Sequence, residues 1–249
     1  MINKTFITLA LTLLVAWSSA GCSRQADTGG SGAKADELAE AAAAEHTQTP
    51  DLPDVLTRPL RLAFMSGHVE AGIALYRAGE PTMAAPHLLH PVSETHAAER
   101  AGLDELGFDP TVFEAVSSAL DAGITADEVD SQLVKAQQNL ADMASRAGGE
   151  PVEVIAFLLD TIDKEYAIGV VDGVVTDPGE YQDAYGFTRV AIATAAQLPT
   201  ELRDAVLPEL EALLQLWPSA PVPPENPTPS PLVAQQVAGA RFALGIPIE

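Results

Sequence analysis

Histidine is the residue type that points most directly to chemistry in this sequence, because four of its five histidines lie in one stretch. They are His68, His87, His90 and His96, all between positions 67 and 99. His87 and His90 are three positions apart, so their imidazoles share a face on a helix, and Glu94 follows about one turn later. Imidazoles with one carboxylate suit iron, copper, zinc or nickel. The spacing predicts a metal site with four ligands: His68, His87, His90 and Glu94.

A purely structural interpretation of the same histidines stays open. In it His87 and His96 are surface residues, and His68 is a core histidine bonded to the backbone. The sequence has no G-x-S-x-G or H-E-x-x-H motif, and its single cysteine, Cys22, lies at the N-terminal end. Hydrolase chemistry therefore has no recognisable machinery here, and we expect a protein that is not an enzyme.

Two helices joined by a tight turn must position the histidines. Proline at position 59 suits a first helical turn, and apolar residues at helical spacing follow up to Gly79. A second helix begins at Pro81. Because a residue before proline disfavours helical angles, Pro91 predicts a break between His90 and Ser93.

The rest of the chain is also helical in pattern. Capping sequences at 109–110, 125–128 and 177–180 begin helices, Pro151 begins an apolar helix over 152–171, and no run alternates as a strand does. The fold class predicted is all-α, an antiparallel helical bundle with an unstructured N-terminal tether and a short C-terminal helix. The predicted segments are a signal peptide (1–21), a flexible tether (22–56), the bundle (57–217), and a proline-rich linker with the last helix (218–249).

The N-terminus predicts a lipid anchor. Lys4 precedes an apolar run of a dozen residues that is too short to span a membrane. The sequence Ser19-Ala20-Gly21-Cys22 resembles a bacterial lipobox, although serine stands where leucine is usual. The resemblance implies a lipoprotein attached to the bilayer through Cys22 and facing the periplasm. Because Ser23 follows rather than aspartate, it implies the outer membrane in a Gram-negative cell.

The charge balance limits the partners. The formal net charge is −22, and removal of the signal peptide takes away only Lys4. Nucleic acid is excluded as a partner because phosphate contacts need a cationic surface. An acidic surface keeps a protein soluble and raises the local concentration of cations.

A second distinctive stretch carries a family resemblance. It includes KEYAIGVVDG at 164–173, then Asp177, Glu180-Tyr181 and Gly186-Phe187. This pattern resembles a helical extracytoplasmic region of bacterial oxidase-dependent iron permeases. The chain departs from those permeases because it has no membrane-spanning helices and no intramembrane Arg-Glu motif. The resemblance therefore implies a periplasmic helical module that accompanies metal uptake by a membrane protein, not transport itself.

Four carboxylates in this stretch, Glu165, Asp172, Glu180 and Asp183, could bind a hard cation through oxygen. The competing interpretation is that Asp177 and Glu180 cap a helix and that Asp172 stabilises a turn. The sequence as a whole predicts a periplasmic lipoprotein that binds a metal ion, or that is an accessory in uptake of iron or copper. The alternative is a non-enzymatic envelope scaffold or protein-binding helical module.

Overall fold

A computed structural model of the protein describes residues 56–93, 100 and 102–246. The predicted signal peptide, Cys22 and most of the tether lie outside the described residues, as do Glu94 and His96. The described residues form eight α-helices and one short antiparallel hairpin, which confirms the all-α class. The elements are α1 (Arg58–Arg77), α2 (Pro81–Leu89), α3 (Pro110–Asp121), α4 (Asp130–Ala147), α5 (Pro151–Gly169), β1 (Val170–Val171), β2 (Val174–Val175), α6 (Pro178–Ala195), α7 (Thr200–Leu214) and α8 (Ser230–Ala243), with 3₁₀ turns at His90–Val92 and Asp104–Leu106. Among these helices none is long and apolar enough to cross a membrane.

Helix α1 is the central helix of the fold, because it contributes to two hydrophobic cores. Ala63 and Phe64 pack into the core formed mainly by α5 to α8. Leu62, Met65 and Val69 pack into the core formed with α2, α3 and α4. A helix that packs against neighbours on several faces carries apolar residues around most of its circumference. Most positions of α1 are accordingly buried. Side chains on α1 can therefore meet residues of both halves.

Glycines allow α1 to approach its neighbours closely. A Cβ on Gly186 of α6 would collide with the carbonyl oxygen of Gly67 on α1. A Cβ on Gly72 would lie 2.9 Å from the Cβ of His87 on α2. Absence of a side chain at these contacts lets the backbones cross next to His68. The crossing brings α2, α1 and α6 together around one point.

The connection between α5 and α6 is a β-hairpin, which was not predicted from the sequence. Val170 pairs with Val175 and Val171 with Val174, so the helix predicted to continue to Val171 ends at Gly169. The turn residues Asp172 and Gly173 have φ values of 53° and 75°. Two positive φ values in a two-residue loop match the twist of paired strands, and Asp-Gly is a preferred sequence for them.

The end of α2 differs from the prediction in one respect. His90 keeps helical backbone angles, with φ −48° and ψ −49°, although Pro91 follows it. The chain leaves the helical region only at Ser93, where ψ is 136°. The preference before proline is modest, and burial of the His90 ring against α1 outweighs it. The break itself lies within the predicted interval.

Helix α8 and the proline-containing segment before it pack onto α5 and α7. Tyr166 donates its hydroxyl hydrogen bond to the Thr228 carbonyl at 2.8 Å, and Ser230 Oγ donates to the Val170 carbonyl at 2.7 Å. Val237 and other apolar residues of α8 belong to the α5–α8 core. These contacts cover part of α5.

Candidate metal centre

Two of the predicted ligands meet on one carboxylate. The Nδ1 atoms of His68 on α1 and His87 on α2 lie 2.7 Å and 2.9 Å from Asp183 Oδ1 on α6. All three side chains are buried, with 4 %, 1 % and 0 % of their surface exposed. One ligand atom from each lies within 4.8 Å of the other two. The three helices thus place two imidazoles and a carboxylate at a single buried point.

Gln182 and His90 surround this group. The Nε2 atom of His87 lies 2.9 Å from Gln182 Oε1, so both ring nitrogens of His87 have a defined neighbour. The His90 ring is stacked on that of His68, with centroids 4.0 Å apart and planes 15° apart. His90 is buried beside the three-residue group but is not part of it. Glu94, the fourth predicted ligand, lies outside the described residues, so its role stays a prediction.

The walls of the site are aromatic. Phe64 and Phe187 meet the His68 ring edge-on, at centroid distances of 4.7 Å and 5.3 Å. They also stack on each other at 5.3 Å. This packing excludes solvent from one side of the group and restricts rotation of the His68 ring.

The two histidines control the charge of Asp183. Burial alone would raise its pKa, because it disfavours the charged carboxylate. The charges and hydrogen bonds of His68 and His87 outweigh burial and hold the pKa of Asp183 well below its usual value. Asp183 is therefore an anionic oxygen donor inside the protein. Its Oδ2 atom is buried and has no hydrogen-bond partner among the described residues.

A pair of buried glutamates adjoins Asp183. Glu165 on α5 and Glu180 on α6 are 1 % and 3 % exposed, and their carboxyl groups share a hydrogen bond. Burial, the hydrogen bond that the protonated Glu165 carboxyl donates to Glu180, and the charges of Glu180, Asp183 and Asp177 raise the pKa of Glu165 to about 11. Burial also raises the pKa of Glu180. The pair therefore holds a proton at neutral pH, which relieves part of the repulsion between the carboxylates.

Local structure explains why these glutamates face each other. A Cβ on Gly169 would lie 2.7 Å from the Tyr181 backbone nitrogen, so the end of α5 and the start of α6 approach closely. Asp177 begins α6 by accepting hydrogen bonds from the Gly179 and Glu180 amides at 3.0 Å and 3.3 Å. This confirms the capping role of Asp177. Glu180 points inward to Glu165 instead of acting as a cap.

The His68, His87 and Asp183 group could hold a metal ion. Ligand atoms about 2.1 Å from one ion at right angles lie about 3 Å apart. The two imidazole–carboxylate separations, 2.7 Å and 2.9 Å, are close to that value. Because Gln182 Oε1 can accept Nε2–H, the His87 ring can present its Nδ1 lone pair to a metal, as second-shell partners commonly arrange. Two imidazoles with a carboxylate suit iron, zinc or copper. The buried group could therefore hold a metal.

The sequence pointed to the two histidines and, separately, to Asp183 as candidate metal ligands, but it did not predict that they lie in one site. Asp183 is 115 positions from His68, and only the crossing of α1 over α6 brings them together. Gln182 was not singled out, and nothing in its sequence neighbourhood distinguishes it. The aromatic residues of the second stretch are all buried in the core: Tyr166, Tyr181, Tyr185 and Phe187.

Comparison with known families finds a match for the C-terminal part of the chain. Residues 149–244 match the family model described as the iron permease-associated 4-helix bundle domain. The match covers the four helices α5 to α8 and includes the stretch on which the resemblance rests, so that resemblance is confirmed. Asp183, Glu165 and Glu180 lie inside the matched segment, whereas His68 and His87 lie before it. No curated protein and no solved structure gives a significant match.

Proposed function

We propose that this chain is a lipid-anchored, periplasm-facing protein that binds a transition-metal ion and acts as an accessory in iron uptake. Residues 149–244 match a domain that is associated with iron permeases, which supports a general role in iron uptake. The observation that carries metal binding is the convergence of His68 and His87 on the buried Asp183 carboxylate. Iron is the ion we propose first, and copper and zinc are the competitors that the same donor set accepts.

The site supports binding more than catalysis. The three ligand side chains are each less than 5 % exposed, and two phenylalanine rings close one side of the group. An ion held by side chains this buried would have little direct contact with solvent. We therefore propose a non-enzymatic role, in which the protein carries the ion or presents it to a metal-uptake membrane protein.

The proposed location follows from the N-terminal sequence and the charge. A lipid on Cys22 would hold the protein at the bilayer, with the outer membrane favoured in a Gram-negative cell. The net charge of −22 produces a negative potential around the protein, which attracts metal cations and speeds their encounter with it. Charge thus supports delivery of cations to the protein, while the buried group supplies the specific ligands.

The direct test is metal analysis of the full chain purified in detergent. Apo protein is loaded with Fe(II) without oxygen, passed through a desalting column, and analysed by inductively coupled plasma mass spectrometry. We expect stoichiometric iron in the wild type and its loss in the His68→Ala/His87→Ala double variant. Both histidines contribute a ligand atom, so their removal leaves only one of the three donors.

A matched control is His46→Ala, because His46 precedes the predicted bundle in the sequence. This variant should retain the wild-type iron content. Wild-type protein that retains no iron, copper or zinc would reject metal binding. That result would instead favour the alternative, an envelope scaffold or protein-binding module in which the histidines are incidental.

A further inference from the structure

We propose that Met83 and Gln182 are positioning residues of the metal site, which together fix the nitrogen atom that His87 offers to the ion. In this assignment neither side chain is itself a ligand. Gln182 acts on the His87 ring through its side-chain amide, and Met83 acts on that amide through its thioether sulfur. The inference rests on the proposed function and extends it, because it assigns the residues that prepare one ligand.

A line of direct polar contacts joins these side chains to Asp183. Gln182 Nε2 donates to Met83 Sδ at 3.4 Å, and Gln182 Oε1 lies 2.9 Å from His87 Nε2. The other ring nitrogen, His87 Nδ1, lies 2.9 Å from Asp183 Oδ1. The sulfur and the carboxylate therefore stand at the two ends of the line, with the amide and the imidazole between them.

The thioether determines which way the amide of Gln182 is turned. The oxygen and nitrogen of an amide have nearly the same shape, so their positions follow from the groups around them. A thioether sulfur is a weak acceptor and has no hydrogen to donate. The NH₂ group therefore faces Met83, because the reversed amide would place its oxygen against the sulfur with no hydrogen between them. The amide oxygen is left facing His87.

The amide oxygen in turn determines where His87 carries its hydrogen when an ion is bound. A carbonyl oxygen only accepts, so the Nε2 atom that faces it carries a hydrogen and donates it. The lone pair that is available to an ion is then on Nδ1, the atom next to Asp183. A reversed amide would donate to Nε2 and hold the hydrogen on Nδ1, where the ion has to bind.

The packing around these residues supports the arrangement. Met83 and His87 are four positions apart on α2, so they share the helix face that meets Gln182 on α6. Gln182 is 2 % exposed, so water has little access to compete for its amide. Groups that orient a ligating histidine through its second nitrogen are commonly worth a factor of about 10–100 in metal affinity.

The test measures Zn(II) affinity and identifies the nitrogen of His87 that binds the ion. Zn(II) is the probe because it is diamagnetic and is accepted by the same donor set. Full-length apo protein in detergent is titrated with Zn(II) against a competing chelator. Nuclear magnetic resonance of protein with isotope-labelled histidine then reports the state of each ring nitrogen. In the wild type we expect Zn(II) on Nδ1 of His87 and a hydrogen on Nε2.

The variants separate the roles of the amide and the thioether. Gln182→Leu should weaken Zn(II) binding by about 10–100-fold. Met83→Leu keeps a similar size but removes the acceptor, so it should weaken binding by about 10-fold and allow both forms of the His87 ring. Met83→Gln should restore wild-type affinity, because its amide oxygen accepts from the Gln182 NH₂ group. The control Met143→Leu, in the core formed with α2, α3 and α4, should bind as the wild type.

The outcomes distinguish this inference from the proposed function. Wild-type affinity in Met83→Leu, or Zn(II) on Nε2 of His87 in the wild type, would overturn the inference and leave metal binding intact. A loss in Met83→Leu that Met83→Gln does not restore would reduce Met83 to a packing role and also overturn it. Met83 is partly exposed, so its variants decide the matter even if the buried Gln182→Leu fails to fold. Wild-type protein that binds no iron, copper or zinc would overturn both.

Discussion

Substitution of Glu165 by glutamine should stabilise the apo protein at neutral pH. Glu165 is almost fully buried and shares a hydrogen bond with Glu180, and its pKa is raised from 4.5 to about 11. Glutamine has nearly the same shape, carries no charge, and can donate the hydrogen bond that the protonated carboxyl donates. The change therefore removes the energetic penalty of protonation while it retains the packing.

The magnitude follows from proton linkage. The folded protein keeps the Glu165 proton up to a pH of about 11, whereas the unfolded chain releases it near its ordinary pKa of 4.5. The contribution of this group to stability is therefore fully present below pH 4.5 and declines as the pH rises from 4.5 towards 11. A pH of 7 lies about 2.5 units above the pKa of Glu165 in the unfolded chain. At about 1.4 kcal/mol per unit, the free energy of unfolding of the wild type is about 3 kcal/mol lower at pH 7 than below pH 4.5.

The assay is urea denaturation of both proteins in the presence of a chelator, followed by circular dichroism at pH 5 and pH 7. Glutamine presents the same neutral hydrogen-bond donor to Glu180, so the difference between the two proteins mainly reports the proton on Glu165. We expect the free energy of unfolding of Glu165→Gln to exceed that of the wild type by about 3 kcal/mol at pH 7 and by under about 1 kcal/mol at pH 5. Glu153→Gln on the same helix should show no such pH dependence. Equal differences at the two pH values would refute the protonated carboxyl pair.

Three further predictions test the scaffold and the anchor. Gly186→Ala should lower the free energy of unfolding by about 1–3 kcal/mol, because the added Cβ collides with the Gly67 carbonyl. The control Gly239→Ala should change it little. An equal effect of the two substitutions would show that α1 and α6 are not in close contact. Asp177→Ala should cost about 1 kcal/mol through loss of the cap of α6, measured by the same denaturation assay, and an unchanged midpoint would contradict the capping role. Cys22→Ser should move the protein from the membrane fraction to the soluble fraction in cell fractionation, and retention in the membrane would contradict lipid anchoring.

Local sequence signals predicted the helices well, because the determinants of helix ends are local. Proline at the first position of α2, α3, α5 and α6, and at the second position of α1, is visible in the sequence. The hairpin at 170–175 was harder, since its valines also continue the apolar pattern of α5. The Asp-Gly pair between two valine pairs was the available signal. The same glycine, Gly173, can equally be interpreted as the end of a helix, so the hairpin signal alone does not decide the structure.

The composition of the site was only partly predictable. Histidines in one stretch draw attention by themselves, and two of the four predicted ligands, His68 and His87, lie together on Asp183. The partner carboxylate could not be chosen from the sequence, because its position depends on how α6 crosses α1. Glu180 illustrates the same limit: its spacing from Asp177 suggests a cap, but tertiary packing directs it to Glu165.

The measurement that tests the central claim most directly is the anomalous scattering of the metal in a crystal. Data collected on either side of the iron absorption edge, from crystals grown with Fe(II), locate the ion independently of any variant. The account predicts an anomalous peak about 2.0–2.3 Å from His68 Nδ1, His87 Nδ1 and Asp183 Oδ1. A peak only at surface carboxylates, or no peak at this buried group in iron-containing crystals, would contradict it.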